Sequence, residues 1–216
     1  MLHGMIFFMK IIPLIVGQLK TNCYLVEASG NVGIIDPGDD GEYIIDQIAK
    51  LNLKPFWVAA THGHFDHVLA VSEIALTCKI PFYIHPKDLF LLKQAKNSAE
   101  HFTAVKADPL LVEPFPFPEE KTLSLGEEKL EVIETPGHTP GGVCLYSKKD
   151  HLLVCGDLLF AGGIVGRTDL RYASFSQLAK SVKKILKLAG RTMVYPGHGG
   201  DTTVEELKAQ LPETFV

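Results

Sequence analysis

The sequence predicts an α/β protein, a four-layer αββα sandwich built from two similar halves, and three observations predict it. The segments NCYLVEASGNVGIIDPG (22–38) and GVCLYSKKDHLLVCGD (142–157) both run strand, turn, strand, Asp, and Cys23 precedes Asp36 by the same step as Cys144 precedes Asp157. In each half a helix and then a strand follow, the alternation that builds sheets with helices on their outer faces. In each half that last strand runs into a His-bearing loop, so the loops carrying His and Asp should gather along the edge where the two sheets meet.

The elements follow in order. Short apolar runs at Lys10 to Val16, Asn22 to Glu27 and Val32 to Asp36, separated by Gly-containing turns, read as a meander. Ile44, Ile45, Ile48 and Leu51 are spaced for a helix, with Asp40 as its N-cap. Phe56 to Thr61 reads as a buried strand, Val68 to Thr77 as a helix, FYIH (82–85) as a strand and Pro86 to Asn97 as a helix. Strands return at Leu130 to Thr135, Val143 to Ser147 and His151 to Cys155. Ser174 with Gln177 forms a capping box ahead of the apolar face Phe175, Leu178, Val182, Ile185 and Leu186. RTMVYPG (191–197) is a strand, and Thr203 with Glu206 opens the last helix.

A chain of 216 residues, 46% hydrophobic and 21% charged, can bury a substantial core, which excludes a disordered or low-complexity class. One domain over residues 1–216 is expected, with residues 1–8 as an extension ahead of the first strand and Met9 as an alternative start. The apolar N-terminus lacks a basic leader and a small-residue cleavage site, and Lys10 and Pro13 interrupt it, so it reads neither as a signal peptide nor as a membrane span. The net charge of −4 advertises neither nucleic acid nor an anionic membrane as a partner, and it does not exclude a small-molecule substrate, uncharged or anionic, because a local site can oppose the global sign. Cys23, Cys78, Cys144 and Cys155 form no CxxC pair and read as free thiols of a reducing, cytoplasmic compartment.

The chemistry concentrates in THGHFDH (61–67), directly after a buried strand. His62 and His64 stand two apart in an extended turn, and Asp66 and His67 follow where the chain bends into a helix. Three imidazoles and a carboxylate in six residues make a nitrogen–oxygen ligand set for a divalent metal. Taken alone, the run could be a His-rich surface loop. Three Gly-rich turns after later strands add His138 (TPGHTPGG), Asp157 (VCGDLLF) and His198 (YPGHGG). Of the remaining histidines, His3, His85 and His151 read as structural or solvated. His101 lies in the stretch Asn97 to Glu120, which reads either as one wall of the substrate mouth or as an ordinary surface loop.

The motif HxHxDH, then a lone His, an Asp and a His, in this order, resembles the metallo-β-lactamase superfamily over nearly the whole chain. The resemblance implies the same αββα fold. It also implies that His62, His64 and His138 hold a first metal, that Asp66, His67 and His198 hold a second, and that Asp157 bridges both. Asp36 matches an early Asp that supports the metal loops. Two divalent ions are implied, zinc first, with iron or manganese as alternatives. Asp66 and Asp157 are the carboxylates expected at the reacting centre, where a metal-bridging hydroxide would attack a carbonyl. Within the superfamily the chain is most similar to short glyoxalase II-type hydrolases, which cleave acyl thioesters such as S-lactoylglutathione. GRTD (166–169) stands where longer members carry a Lys and a Tyr, and the chain ends at Val216 without their helical C-terminal domain. Arg167 either grips a substrate carboxylate or pairs with Asp169 to brace its loop. An iron-dependent persulfide dioxygenase, which shares GRTD, is the first alternative; a lactonase or weak β-lactamase is the second.

Overall fold

The computed structural model describes residues 8–215; His3 and most of the expected N-terminal extension lie outside them. Strands β1 (Lys10–Val16), β2 (Thr21–Ala28) and β3 (Asn31–Ile35) form the antiparallel meander, followed by helix α1 (Gly41–Lys50). Strand β4 (Lys54–Ala59) returns parallel to β3, helix α2 (Val71–Cys78) follows, and β5 (Phe82–Tyr83) pairs parallel to β4 before helix α3 (Leu89–Thr103). The second half opens with the antiparallel run β6 (Thr122–Leu125), β7 (Glu128–Glu134), β8 (Val143–Ser147) and β9 (Leu152–Gly156). A hairpin of β10 (Leu159–Phe160) and β11 (Ile164–Val165) precedes helix α4 (Phe175–Ile185). Strand β12 (Met193–Pro196) then pairs parallel to β9, and β13 (Thr202–Thr203) leads into helix α5 (Val204–Gln210).

The sheets have the orders β1-β2-β3-β4-β5 and β13-β12-β9-β8-β7-β6. The echoed units β2-β3-α1-β4 and β8-β9-α4-β12 therefore have one topology: an antiparallel pair, a crossover helix and a parallel return. Side-chain alternation shows how the layers stack. In β2, Cys23 and Leu25 face a core shared with Ile44, Ile74 and Ala95 of α1, α2 and α3. Tyr24 and Val26 face the opposite way, into a core shared with Leu123, Val132 and Leu145 of the other sheet. In β8, Leu145 joins that central core while Cys144 and Tyr146 face Leu178 and Leu207 of α4 and α5. Three apolar layers separate helix, sheet, sheet and helix, which is the expected four-layer sandwich. Strands covered on both faces lose the polar alternation of half-exposed ones, so Cys23 to Val26 of β2 and Val143 to Tyr146 of β8 read as unbroken apolar runs.

Several local expectations are corrected. Asp40 does not cap α1 through its side chain; its backbone is left-handed and its carboxylate accepts the Gly17 N–H at 2.8 Å. Helix α2 starts at Val71, because Phe65–His67 form a tight 3-10 turn that places the Asp66 and His67 side chains. Helix α3 continues past Asn97 to Thr103, since Ala95 and Ala99 extend the buried stripe begun by Leu91. The strand at FYIH stops at Tyr83, and His85 caps the next turn by accepting the Lys87 N–H. At α4 only the Ser174 half of the capping box is present, whereas at α5 Thr203 and Glu206 form both halves. All four cysteines are free, and Cys23, Cys144 and Cys155 are buried. No helix among the described residues is long and apolar enough to cross a membrane.

Candidate metal centre

Strand ends from both halves deliver the expected residues to one place. Strand β4 runs into 61–67, the turn between β7 and β8 brings His138, β9 ends at Asp157 and β12 ends beside His198. The halves are tied together at this edge. Val143 N–H donates to the Thr61 carbonyl, Asn22 Nδ2 donates to the carbonyls of Pro196 and Gly199, and the Tyr24 hydroxyl donates to Pro196 at 2.6 Å. Gly197 is required in this turn, because a Cβ there would lie 2.2 Å from Asp157 Oδ1 and 2.7 Å from His67 Cε1.

Two pockets of donor atoms result. In the first, His64 Nδ1 lies 3.0 Å from both His62 Nε2 and His138 Nε2. Nitrogen ligands around a tetrahedral zinc stand about 3.3 Å apart, so this triangle is close to ligand spacing. In the second, His198 Nε2 lies 3.2 Å and His67 Nε2 3.7 Å from Asp66 Oδ2. Asp157 stands between them with its oxygens divided. Oδ2 is 3.7 Å from His138 Nε2, and Oδ1 is 3.5 Å from His67 Nε2 and 3.8 Å from His198 Nε2. The donor atoms of each pocket converge tightly enough to hold one ion, and the first set includes Asp157.

The other ring nitrogen of each buried ligand has a partner that fixes which nitrogen is left for the pocket. His138 Nδ1 donates to the Arg167 carbonyl at 2.9 Å. His67 Nδ1 meets Asp36 Oδ2 at 3.0 Å. Asp36 also accepts the Thr61 N–H at 2.6 Å and the Thr61 hydroxyl at 2.7 Å, and that hydroxyl in turn faces His62 Nδ1 at 3.1 Å. Asp36 is therefore the support that the sequence pattern implied. Left over, buried and without a hydrogen-bond partner, are His67 Nε2 and Asp157 Oδ1, which face each other. Each such orphan costs roughly 1–3 kcal/mol, a cost that a cation ligated by both atoms removes. The donor set thus fits a metal.

The electrostatics of the pockets differ. Burial, reinforced by the surrounding imidazoles, pushes His62 well down and His64 to about 3. Burial opposes charge on His67 too, but Asp66, Asp157 and Asp36 outweigh it and push this imidazole up to about 10. At Asp66 burial acts upward, yet His67 and His198 hold the carboxyl well below its usual range.

The pockets lie at the floor of a cleft of about 280 Å³. Its walls are Leu19, Phe65, Leu91, Phe102, Leu170 and Tyr172, with Arg167 at the rim. Ser98 and Phe102, from the stretch read as either mouth or surface loop, do line the cleft, whereas its Pro-rich part packs Phe115 and Phe117 against Tyr83. Arg167 pairs with Asp169 through two bonds of 2.7 Å, the contact that the bracing reading expects, while its exposed side chain stays at the rim of the cleft. Sequence reasoning missed Asp88, a buried carboxylate that accepts Gly63 N–H, the Thr139 hydroxyl and Gly141 N–H, clamping the His62–His64 turn to the His138 turn. It also missed Tyr172, whose hydroxyl is 2.8 Å from His64 Nε2. Neither carries a sequence signal, because each acts through contacts between distant segments.

A four-layer sandwich with two nitrogen–oxygen donor pockets at its sheet edge has the architecture of a metallo-hydrolase. The chain belongs to the metallo-beta-lactamase superfamily, whose sequence model matches residues 16–198. It is 32% identical to hydroxyacylglutathione hydrolase GloC of Haemophilus influenzae, over 94% of this chain and 96% of the relative. Among solved structures it resembles the BLEG-1 B3 metallo-beta-lactamase, at 34% identity and a TM-score of 0.86 over 94% of this chain and 98% of that one. It is also similar to the di-iron-bound form of TTHA1623, at 36% identity and a TM-score of 0.85 over 93% and 98%.

Proposed function

We propose that this metallo-hydrolase holds two zinc ions and cleaves small acyl thioesters of the S-lactoylglutathione type. The observation that carries the binuclear reading is the divided Asp157 carboxylate, one oxygen turned to each pocket. His62, His64 and His138 would hold the first ion and Asp66, His67 and His198 the second, with Asp157 shared. When bound, such ions supply a water nucleophile at neutral pH and polarise a carbonyl. The iron in TTHA1623 makes iron the alternative metal.

The thioester reading rests on the cleft. Every carboxylate and imidazole lining it belongs to one of the donor sets. Among the described residues, no carboxyl or imidazole outside the donor sets lines the cleft to protonate a leaving group. A thiolate leaves without that help, whereas an amine does not. The similarity to GloC points the same way. The similarity to BLEG-1 favours a second reading, β-lactam hydrolysis, which the lack of a carboxyl or imidazole donor outside the metal sets disfavours. Location in a reducing compartment, as the free thiols suggest, suits a thioester substrate.

The test is turnover by metal-free protein reloaded with zinc or iron(II), offered S-D-lactoylglutathione, a simple acyl thioester, a β-lactam and glutathione persulfide with an oxygen electrode. Zinc-dependent thioester cleavage well above β-lactam turnover is expected. Oxygen uptake by the iron form with no thioester cleavage by either form would replace this reading with the dioxygenase.

A further inference from the structure

We propose that Tyr172 is a positioning residue for the first pocket, accepting a hydrogen bond from His64 Nε2–H and so turning the His64 Nδ1 lone pair toward the metal. The inference rests on the metal reading above. It starts from an inventory of outer partners. His138 Nδ1 faces a carbonyl, which can only accept, so its Nε2 is left unprotonated for the pocket. The Thr61 hydroxyl gives its one hydrogen to Asp36, so it accepts from His62 Nδ1–H, and His62 Nε2 is likewise free. His64 is the third member of the triangle and presents Nδ1, 3.0 Å from both of those nitrogens. Its proton must then reside on Nε2, and the group within hydrogen-bond distance of Nε2 is the Tyr172 hydroxyl at 2.8 Å.

A phenol suits this place because it both donates and accepts. Without a metal, one proton on His64 Nδ1 can be shared with the facing nitrogens while Tyr172 donates to Nε2. With the pocket filled, that proton moves to Nε2, and Tyr172 accepts there and turns its own O–H into the cleft it lines. The hydroxyl is held in place. The Tyr172 ring packs edge-on against Phe90 at 5.2 Å, and its loop is pinned by Ala173 N–H to the Leu170 carbonyl and Ser174 N–H to the Gly137 carbonyl. The same loop supplies the Arg167 carbonyl to His138. One cleft-lining segment between β11 and α4 thus orients two of the three imidazoles of the first pocket.

The experiment compares wild type with Tyr172→Phe, which keeps the ring against Phe90 and removes only the hydroxyl. Zinc affinity is measured by competition with a chromophoric chelator, and the site is read by the visible spectrum of the cobalt(II)-loaded protein. The variant is expected to bind the first-pocket ion about 10–100-fold more weakly, with a shifted cobalt spectrum, and the second ion as wild type does. Nitrogen-15 shifts of the zinc-loaded wild type should show His64 protonated at Nε2 and bare at Nδ1, a readout that needs no variant. Unchanged affinity and spectrum in Tyr172→Phe, or an Nδ1-protonated His64, would overturn the proposal while leaving the metal centre standing. Failure of wild type to bind zinc or cobalt would instead remove the functional reading and this inference with it.

Discussion

The two donor pockets share Asp157 and lie within one cleft, yet they are built on opposite principles. The first is an all-imidazole triangle in which burial keeps His62 and His64 neutral, so their lone pairs are free at neutral pH. The second surrounds His67 with Asp66, Asp157 and Asp36, and that imidazole holds its proton up to about 10. In physical terms the second pocket already contains a cation, a proton, which a metal must displace. Their supports differ as well. The second pocket leans on Asp36, buried at the end of β3, while two ligands of the first lean on a surface loop. A charge-rich pocket wedged into the core and a neutral pocket braced by a loop should respond differently to substitution and to pH.

The largest effect is expected from His64→Ala, which removes a corner of the triangle. Thioester turnover should fall by more than about 100-fold, beyond the usual cost of losing an outer partner. Bound zinc measured by elemental analysis should drop from two per chain to one, and circular dichroism should show the fold retained, because the His64 side chain belongs to none of the three apolar layers. An unfolded variant would mean that the metals are structural. Next comes Asp36→Asn, aimed at the second pocket. It weakens the hold on His67 and disturbs Thr61, so affinity for the second ion should fall about 10–100-fold with the first affected less. Equal losses at both pockets would break the contrast drawn between them.

The pH dependence sharpens it further. Below pH 10 the second pocket binds its ion only by expelling the His67 proton, so its affinity should fall at least about tenfold for each unit the pH drops between 8.5 and 6.5. The fall should steepen toward the low end, because burial opposes charge on His198 but Asp66 and Asp157 outweigh it and push that imidazole up as well. The imidazoles of the first pocket that burial holds low contribute no such slope in that range. Zinc titrations against a chelator at several pH values, with proton release followed in weak buffer, would check both statements. The smallest effect is expected from Asp88→Asn, which replaces one accepting oxygen of the clamp by an N–H₂ facing donors. Stability should fall by about 1–3 kcal/mol in denaturant titrations, with weaker first-pocket binding following from the loosened turns.

Much of this was written in local pattern. The repeat from Cys23 to Asp36 and from Cys144 to Asp157 announced two α/β halves, because a strand–turn–strand–Asp unit is read from adjacent residues. The HGHFDH run and the three Gly-rich turns marked the donors, since ligand type and turn chemistry are both local properties. Helix limits were less legible: whether α3 stops at Asn97 or Thr103 depends on what Ala99 packs against, not on its neighbours in sequence. Residues that act across the fold were not legible at all. Asp88 looks like a helix-start residue until the folded chain brings Gly63, Thr139 and Gly141 to its oxygens, and Tyr172 looks like a loop residue until His64 meets it. The Arg167 pairing with Asp169 is likewise seen only in the folded chain. The sequence by itself determined which side chains could donate to a metal and the layered class of fold that gathers them. Only the tertiary structure decided which nitrogen of each imidazole faces inward and how the two pockets differ in charge, because those depend on distances between residues as far apart as His64 and Tyr172.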